Sequence, residues 1–352
     1  MRYIPAVAMI APLIALAQTP ATSPAAKPAA KVASSKAWTQ PKTPWGDPDI
    51  QGMWPGAWGI PLQRPKNLGT RATLTDEELA QREAAAAKQA AADRQEFATG
   101  QERIGIGPPS YWTERGHPAK QTSLIIDPPD GQIPALTPEA KARTLATPAE
   151  WKGVANSWED LNLYYRCITR GVIGTMLPAV YDNGNQIVQA PGYVVIRQEM
   201  IHETRVIPLD GRPHVGQTIR EYMGDARGHW EGNTLVVETT NFTGKTSIGS
   251  NGVSYNGQGG HHTESLKLIE RFTRVDANTL NYQATIDDPN TWTKPWTFLL
   301  PLERDDNYGF FEYACHEGNY AMKDILSGAR QMEASGRGDE PVTGRVRGGG
   351  EQ

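Results

Sequence analysis

The sequence predicts a mainly β protein, an antiparallel meander that closes into a lipocalin-like barrel or forms a strongly bent sheet. Three observations support this fold class: from about residue 185 apolar residues alternate with a period of two, turn signals separate the apolar runs, and few helical stretches intervene. Sequential strands joined by short turns pair with their chain neighbours, and such a meander removes its free edges by curling.

The predicted strands are short, and turn signals such as Ala190-Pro191-Gly192 and Glu231-Gly232-Asn233 separate them. The polar block from Asp225 to Gly232 is predicted as a loop that leads into the most apolar strand. The predicted strands are Gln186–Gln189, Tyr193–Arg197, Met200–Ile207, Thr218–Tyr222, Thr234–Phe242, Leu266–Val275, Thr279–Asp287, Thr297–Glu303 and Phe310–His316.

The first 17 residues predict a cleavable secretory signal. Arg2 precedes an apolar run that ends in Ala15-Leu16-Ala17 and is shorter than the roughly 20 residues of a membrane span. A retained anchor helix is the alternative. Residues 18–37 have the Ala-, Pro-, Lys- and Ser-rich composition of a disordered linker. We therefore expect a periplasmic or secreted protein, with no later segment that spans a membrane.

Between the linker and the strands, the sequence predicts an arm of loops and one helix. The chain has 10 Trp and 6 Phe, and Trp38, Trp45, Trp54 and Trp58 alternate with prolines, so we expect indole anchors on an irregular segment. A capping box at Thr75 and Glu78 begins a peripheral, Ala-rich helix through Leu79–Phe97. The predicted organisation is a signal at 1–17, a linker at 18–37, one domain at 38–332 (arm 38–184, barrel 185–332) and a disordered tail at 333–352.

Cys167 and Cys315 are the only cysteines. An oxidising compartment favours a disulfide between them. The alternative is a Cys315 nucleophile assisted by His316, but adjacent strand residues point to opposite faces. We therefore predict the disulfide.

Charge and motifs exclude several classes of function. The net charge is −4 with acids and bases mixed along the chain, so no basic stripe indicates a nucleic-acid partner. A Gly-x-Ser-x-Gly elbow, a Walker loop, a dinucleotide fingerprint and a haem-attachment motif are all missing from the sequence. Serine α/β-hydrolases, nucleotide-driven enzymes, Rossmann dehydrogenases and c-type cytochromes are therefore excluded.

Four segments of the chain look like recurring family blocks: Gly46–Trp54, Ser123–Gly131, Gln198–His214 and Gly224–Phe242. These blocks, which include GDPDIQGMW, SLIIDPPDG and EMIHETRVIPLDGRPH, resemble those of a family of exported bacterial proteins that is largely unassigned in function. The resemblance covers residues 45 to 330. It implies export and a shared fold, and it transfers no catalytic role.

Ionisable side chains at strand positions predict an acid/base site. His202 is the candidate base or acid, because a histidine with a near-neutral pKa can take up and return a proton. Glu238, Glu270 and Glu312 fall among apolar neighbours, where a carboxylate needs a partner or a solvated cavity. The alternatives are structural: Glu203 and Arg205 form a surface pair, and arginines neutralise the three glutamates.

Further residues are candidates for holding a ligand, since arginines bind oxyanions and aromatic side chains pack on organic groups. A turn whose charges satisfy backbone groups is the alternative for the 225–232 block. Two adjacent histidines and a glutamate leave a weak possibility of a divalent metal beside the Gly-rich candidate lid at 244–260. The candidate substrate-binding residues are Arg205, Arg227, His229, Trp230, Trp296 and His316, and the possible metal ligands are His261, His262 and Glu264.

Together these patterns predict an exported enzyme that performs acid/base chemistry, as a lyase, isomerase or hydrolase, on a small, partly apolar organic molecule without an organic cofactor. The first alternative is a non-catalytic barrel that binds a hydrophobic small ligand. The second is a structural envelope component that docks through its Trp-rich arm.

Overall fold

A computed structural model describes residues 38–57, 59–100, 109–146, 155, 157–161, 163–248 and 261–336. The predicted signal and linker, Trp58 and most of the candidate lid lie outside these residues, as does the predicted tail beyond residue 336. The described residues from Thr39 onward belong to one compact unit.

The protein is mainly β, as predicted, and its strands form two antiparallel sheets. One sheet has four strands in the order β1-β3-β4-β5, and the other has six in the order β2-β10-β9-β8-β7-β6. The second sheet contains the predicted meander, because β6 to β10 pair in sequence order. The strands are β1 (Gly52–Met53), β2 (Ile125–Asp127), β3 (Asn185–Ala190), β4 (Tyr193–Gln198), β5 (Thr204–Pro208), β6 (Asp225–Glu231), β7 (Thr234–Thr240), β8 (Lys267–Arg274), β9 (Thr279–Asp287) and β10 (Trp296–Glu303).

Helices are few, and the longest is the predicted Ala-rich one. It begins after Thr75, whose side chain and that of Glu78 form the expected capping box, and it ends at Gly100 in a left-handed conformation. The α-helices are α1 (Asp76–Thr99), α2 (Pro138–Ala146), α3 (Val172–Met176) and α4 (Ala321–Ala334), and the short 3₁₀ helices are Lys66–Leu68, Ser110–Trp112, Trp158–Asp160 and Met200–His202.

The inner faces of the two sheets share one hydrophobic core. In β8 and β9 alternate residues are buried, which is the period of two read from the sequence. Tyr282, Trp296 and Phe298 are fully buried. The ring centroid of Phe298 lies 5.6 Å from that of Tyr282 and 6.3 Å from that of Trp296. This core fixes β5 against β8, and so positions the loop that precedes β5.

Four predicted segments differ from the observed elements. The strand predicted at Met200–Ile207 begins only at Thr204, because Met200–His202 form a 3₁₀ turn. Residues Thr218–Tyr222 and Phe310–His316 lie outside the strands, and the predicted loop at Asp225 is strand β6. In β6 Ala226, Gly228 and Trp230 alternate with polar residues and face the core, but the charged side chains and the glycine of this segment are also typical of a loop.

A closed ring of paired strands is not found within the described ranges, since β2 and β6 are the terminal strands of the larger sheet. Among the same residues, no helix combines the length and the apolar character needed to cross a bilayer.

Candidate functional site

An open pocket of about 550 Å³ lies beside the loop that precedes β5. It is large enough for a small organic molecule. Its walls mix apolar side chains with hydroxyl, carboxyl and guanidinium groups. We call it the Glu203 pocket; it is lined by Ile168, Thr169, Glu203, Arg220, Glu221, Tyr222, Met223 and Thr243.

Glu203 is the ionisable group of this pocket whose proton affinity is perturbed. Burial raises the pKa of its carboxyl, and this outweighs the opposing effects of a hydrogen bond from Thr169 and of Arg205 and Arg170 nearby. The Thr169 hydroxyl donates to Glu203 Oε2 over 2.8 Å and itself accepts from the main-chain N–H of Gly171 at 2.9 Å. The carboxyl is therefore held in one orientation at the pocket wall.

The backbone around the pocket is held in sparsely populated conformations. Cys167 has φ 53°, Ile201 has φ 62° and His202 has φ 43°. A β-branched residue such as Ile201 rarely adopts positive φ, and such outliers concentrate at functional sites. The positive φ values of Ile201 and His202 turn the chain sharply before β5 and bring Glu203 to the pocket wall.

The predicted disulfide is confirmed, and it fixes the loop that contributes Ile168 and Thr169 to the pocket lining. Cys167 and Cys315 are joined with Cα atoms 5.8 Å apart. The bond ties the 163–170 loop, which carries Thr169, to the segment after β10. Tyr164 and Tyr313 reinforce this link, because their hydroxyl oxygens lie 3.2 Å apart.

A second, much smaller cavity also has Thr169 in its lining. Its volume is about 10 Å³, enough for a single water-sized group. Arg170, Lys245 and Thr246 line it. Thr246 Oγ1 lies 2.5 Å from Nε2 of His262, whose Nδ1 lies 3.0 Å from the carbonyl oxygen of Thr263. Burial lowers the pKa of His262 to about 4, so its imidazole is neutral at ordinary pH.

A cluster of carboxyl groups lies near the segment after β10. The Tyr308 hydroxyl is 2.7 Å from Glu199 Oε2 and 3.0 Å from Glu114 Oε1. Asp182, at φ 58°, lies close to both glutamates. Burial, followed by the negative charges of Glu199 and Glu114, raises the pKa of Asp182 to about 6. The cluster holds the backbone through N–H donors, including that of Phe311 at 2.8 Å to Glu199.

Two of the candidates from sequence, Arg205 and Glu270, bind each other in the core. Arg205 Nη1 and Nη2 donate to the two oxygens of Glu270 at 2.9 and 2.5 Å, and the side chains are 4% and 0% exposed. Tyr282 donates a further hydrogen bond to Glu270 over 3.0 Å. This is the arrangement expected of the structural alternative, in which an arginine neutralises the glutamate.

Three other candidates lie together on the surface. His202 is exposed, and its Nδ1 lies 3.2 Å from the carbonyl oxygen of Tyr313. Glu312 and His316 are exposed on the neighbouring segment. His202 is therefore adjacent to Glu203 in the chain but carries its side chain at the surface rather than in the pocket lining.

The candidates on β6 and β7 form surface ion pairs. Lys267 Nζ lies 2.6 Å from Glu238 Oε2, and its hydrogen bond is the main cause of the lowered pKa of Glu238. Arg227 Nη1 donates to Asp225 over 2.6 Å, and His229 Nε2 lies 3.2 Å from Glu231. These residues are not brought to the Glu203 pocket.

The two candidate tryptophans contribute to the core. Trp296 is fully buried against Trp292, with ring centroids 5.8 Å apart, and Trp230 is half-buried against the same core. In the arm, Trp54 is fully buried and donates to the carbonyl oxygen of Ile50 over 2.9 Å, as an anchoring indole would. Trp45 is 38% exposed.

The possible metal ligands have partners within the protein. Both ring nitrogens of His262 face oxygen atoms, and Glu264 Oε2 lies 3.1 Å from Arg220 Nε. His261 is exposed beside them. In the part of the chain that the structure describes, no group of three or more metal-binding side chains is found.

The sequence reasoning missed Glu203, Thr169 and Arg220 as members of one site. The strand predicted over Met200–Ile207 places Glu203 and Arg205 on one face, and the structural alternative puts that face at the surface. The available signal was Cys167: once a disulfide is predicted, its neighbour Thr169 belongs to a covalently fixed loop. Nothing in the local sequence indicates that the 218–222 segment folds against that loop.

The chain matches no family model, and no curated protein or solved structure is significantly similar to it.

Proposed function

We propose that the protein is an enzyme that performs acid/base chemistry on a small, partly apolar organic molecule in the Glu203 pocket. The observation that carries this proposal is a carboxyl group with a raised pKa at the wall of an open pocket of about 550 Å³. Ile168 and Met223 supply apolar walls, while Arg220 and Tyr222 supply polar groups, as a binding site for such a molecule requires.

In this mechanism Glu203 transfers the proton. A carboxyl with a raised pKa holds a proton at a higher pH than an ordinary glutamate, so it can serve as an acid as well as a base. Thr169 orients the carboxyl through its hydrogen bond. Removing a proton from substrate carbon and returning it gives an isomerase, losing a leaving group gives a lyase, and activating water gives a hydrolase.

We also propose that the protein is exported and that its two sheets close into a barrel. The disulfide supports folding in an oxidising compartment. Closure into a lipocalin-like barrel is supported by the approach of the two sheets at β5 and β6, where Gly228 lies so close that an added Cβ would come within 2.9 Å of Ile207.

A deuterium-exchange screen tests the function. The purified chain is incubated in D₂O with small carboxylic acids, ketones and esters, and NMR follows deuterium incorporation and product formation. We expect turnover of at least one compound, and a loss of about 100-fold or more in Glu203→Gln, the usual contribution of a general acid or base. Glu83→Gln, which changes an exposed carboxyl on α1, is the matched control.

The variant His202→Ala separates the two candidate groups. Unchanged turnover in His202→Ala together with loss in Glu203→Gln supports Glu203 as the reacting group, and the reverse pattern refutes it. A compound that binds in the pocket but is recovered unchanged, without isotope exchange, supports instead a non-catalytic protein that binds a hydrophobic small ligand.

A further inference from the structure

Arg220 is the cationic side chain in the lining of the Glu203 pocket. Its Nη1 donates to the main-chain oxygens of Phe242 at 3.3 Å and Glu264 at 3.2 Å, and its Nε lies 3.1 Å from the Glu264 carboxylate. These contacts hold the guanidinium plane in a fixed orientation. A group held in this way loses little further conformational freedom when it binds a ligand.

Both N–H donors of Nη1 are used by these contacts, and Nε faces the Glu264 carboxylate at ion-pair distance. The two on Nη2 make no hydrogen bond with any residue that the structure describes, and the side chain remains 28% exposed where it lines the pocket. Nη2 is therefore available to a ligand. One of its N–H groups can donate a charge-assisted hydrogen bond to a carboxylate oxygen, and the guanidinium charge attracts the anion.

We propose that the molecule bound in the Glu203 pocket is an organic carboxylate, with its carboxylate on Arg220 Nη2 and its apolar part against Ile168 and Met223. This assignment rests on the proposed function for the site, and it names the substrate class. The carboxylate fixes the molecule at one wall, so that the reacting carbon faces Glu203 at another.

The charge of the pocket makes a second, opposite test possible. Glu221 also lines the pocket, and its carboxylate forms no ion pair with a described residue. Its negative charge weakens the binding of any anion nearby. Neutralising Glu221 therefore strengthens carboxylate binding, whereas removing the Arg220 guanidinium weakens it.

The probes are hexanoate and phenylacetate, compared with hexanamide and phenylacetamide, which have nearly the same shape without the charge. Isothermal titration at low salt measures their dissociation constants for the full chain. We expect carboxylates to bind tighter than amides, Arg220→Gln to weaken carboxylates about tenfold or more, and Glu221→Gln to strengthen them about threefold. Arg94→Gln, which removes an exposed arginine of α1, is the matched control.

Arg220 also holds two main-chain oxygens, so circular dichroism checks that Arg220→Gln folds; if it does not, Glu221→Gln decides. Equal binding of amides and carboxylates, or an unchanged carboxylate affinity in Glu221→Gln, overturns the assignment. Carboxylate binding that depends on Arg220, with neither isotope exchange nor product formation from any compound of the screen, supports the ligand class while refuting the acid/base function, so the two failures are distinguishable.

Discussion

The buried pair of Arg205 and Glu270 gives the sharpest prediction about stability. Glu270→Gln keeps the side-chain shape and removes its charge, which leaves Arg205 buried, 4% exposed, without its counter-ion. Losing one partner of a buried pair costs about 3–5 kcal/mol, because the remaining charge is neither hydrated nor neutralised. This carboxylate accepts two hydrogen bonds from Arg205 and one from the Tyr282 hydroxyl, so we expect the loss of stability to fall within that range.

Urea unfolding followed by tryptophan fluorescence and circular dichroism measures the effect. With a slope of about 3 kcal/mol/M, a cost of 3–5 kcal/mol lowers the midpoint by about 1–2 M. The matched control is Glu231→Gln, which breaks the exposed pair of Glu231 and Arg271 at 2.8 Å on the same sheet. Water screens this exposed pair, so the midpoint of Glu231→Gln is expected to change little.

The double variant Arg205→Met with Glu270→Leu provides the refuting comparison. Replacing both charges by apolar side chains removes the desolvation cost as well as the attraction, so we expect most of the lost stability to return. A midpoint for Glu270→Gln equal to that of Glu231→Gln would show that the pair is hydrated or dispensable, and the reasoning would then be wrong.

Three further outcomes are expected. Thr75→Ala removes the cap of α1 and lowers the free energy of unfolding by about 1 kcal/mol in urea titrations, whereas Thr75→Ser keeps the cap; equal losses in both would contradict this. Changing both Cys167 and Cys315 to serine costs about 2–5 kcal/mol, and dithiothreitol should destabilise the original chain but not the variant. Burial and neighbouring carboxylates raise the pKa of Asp182 from 3.8 to about 6, so the folded state binds this proton more tightly than the unfolded state. Its contribution to stability is complete below about pH 4 and is lost as the pH rises through 6; Asp182→Asn should remove this part of the pH profile, and an unchanged profile would refute the assignment.

The fold was predictable where local patterns and tertiary packing agree. In β8 and β9 the buried residues alternate, and at α1 the capping residues Thr75 and Glu78 determine where the helix begins. The prediction was wrong at β6, because the charged residues and Gly228 of Asp225–Glu231 are typical of a loop, although Ala226, Gly228 and Trp230 alternate and face the core. It was also wrong at Met200–His202, where positive φ at a β-branched residue interrupts a pattern that is otherwise typical of a strand.

The candidate site was less accessible to sequence reasoning, since it depends on distant contacts. The cysteine pair could be predicted from composition alone. The inward orientation of Arg205 toward Glu270, however, depends on the strand register, which begins at Thr204 after the 3₁₀ turn. The position of Arg220 in the pocket lining depends on a segment without regular structure. The residue types were recognised, but their assignment to core or pocket is decided by the tertiary fold.

The position of the disulfide also determines how the molecule responds to a protease. Cys167 and Cys315 are 148 residues apart, and all strands from β3 to β10 lie between them. A single cleavage anywhere in this interval therefore leaves two fragments that are still covalently joined. They would migrate as one band on a non-reducing gel and as two after reduction, so a nicked chain can pass as intact unless thiols are added to the sample.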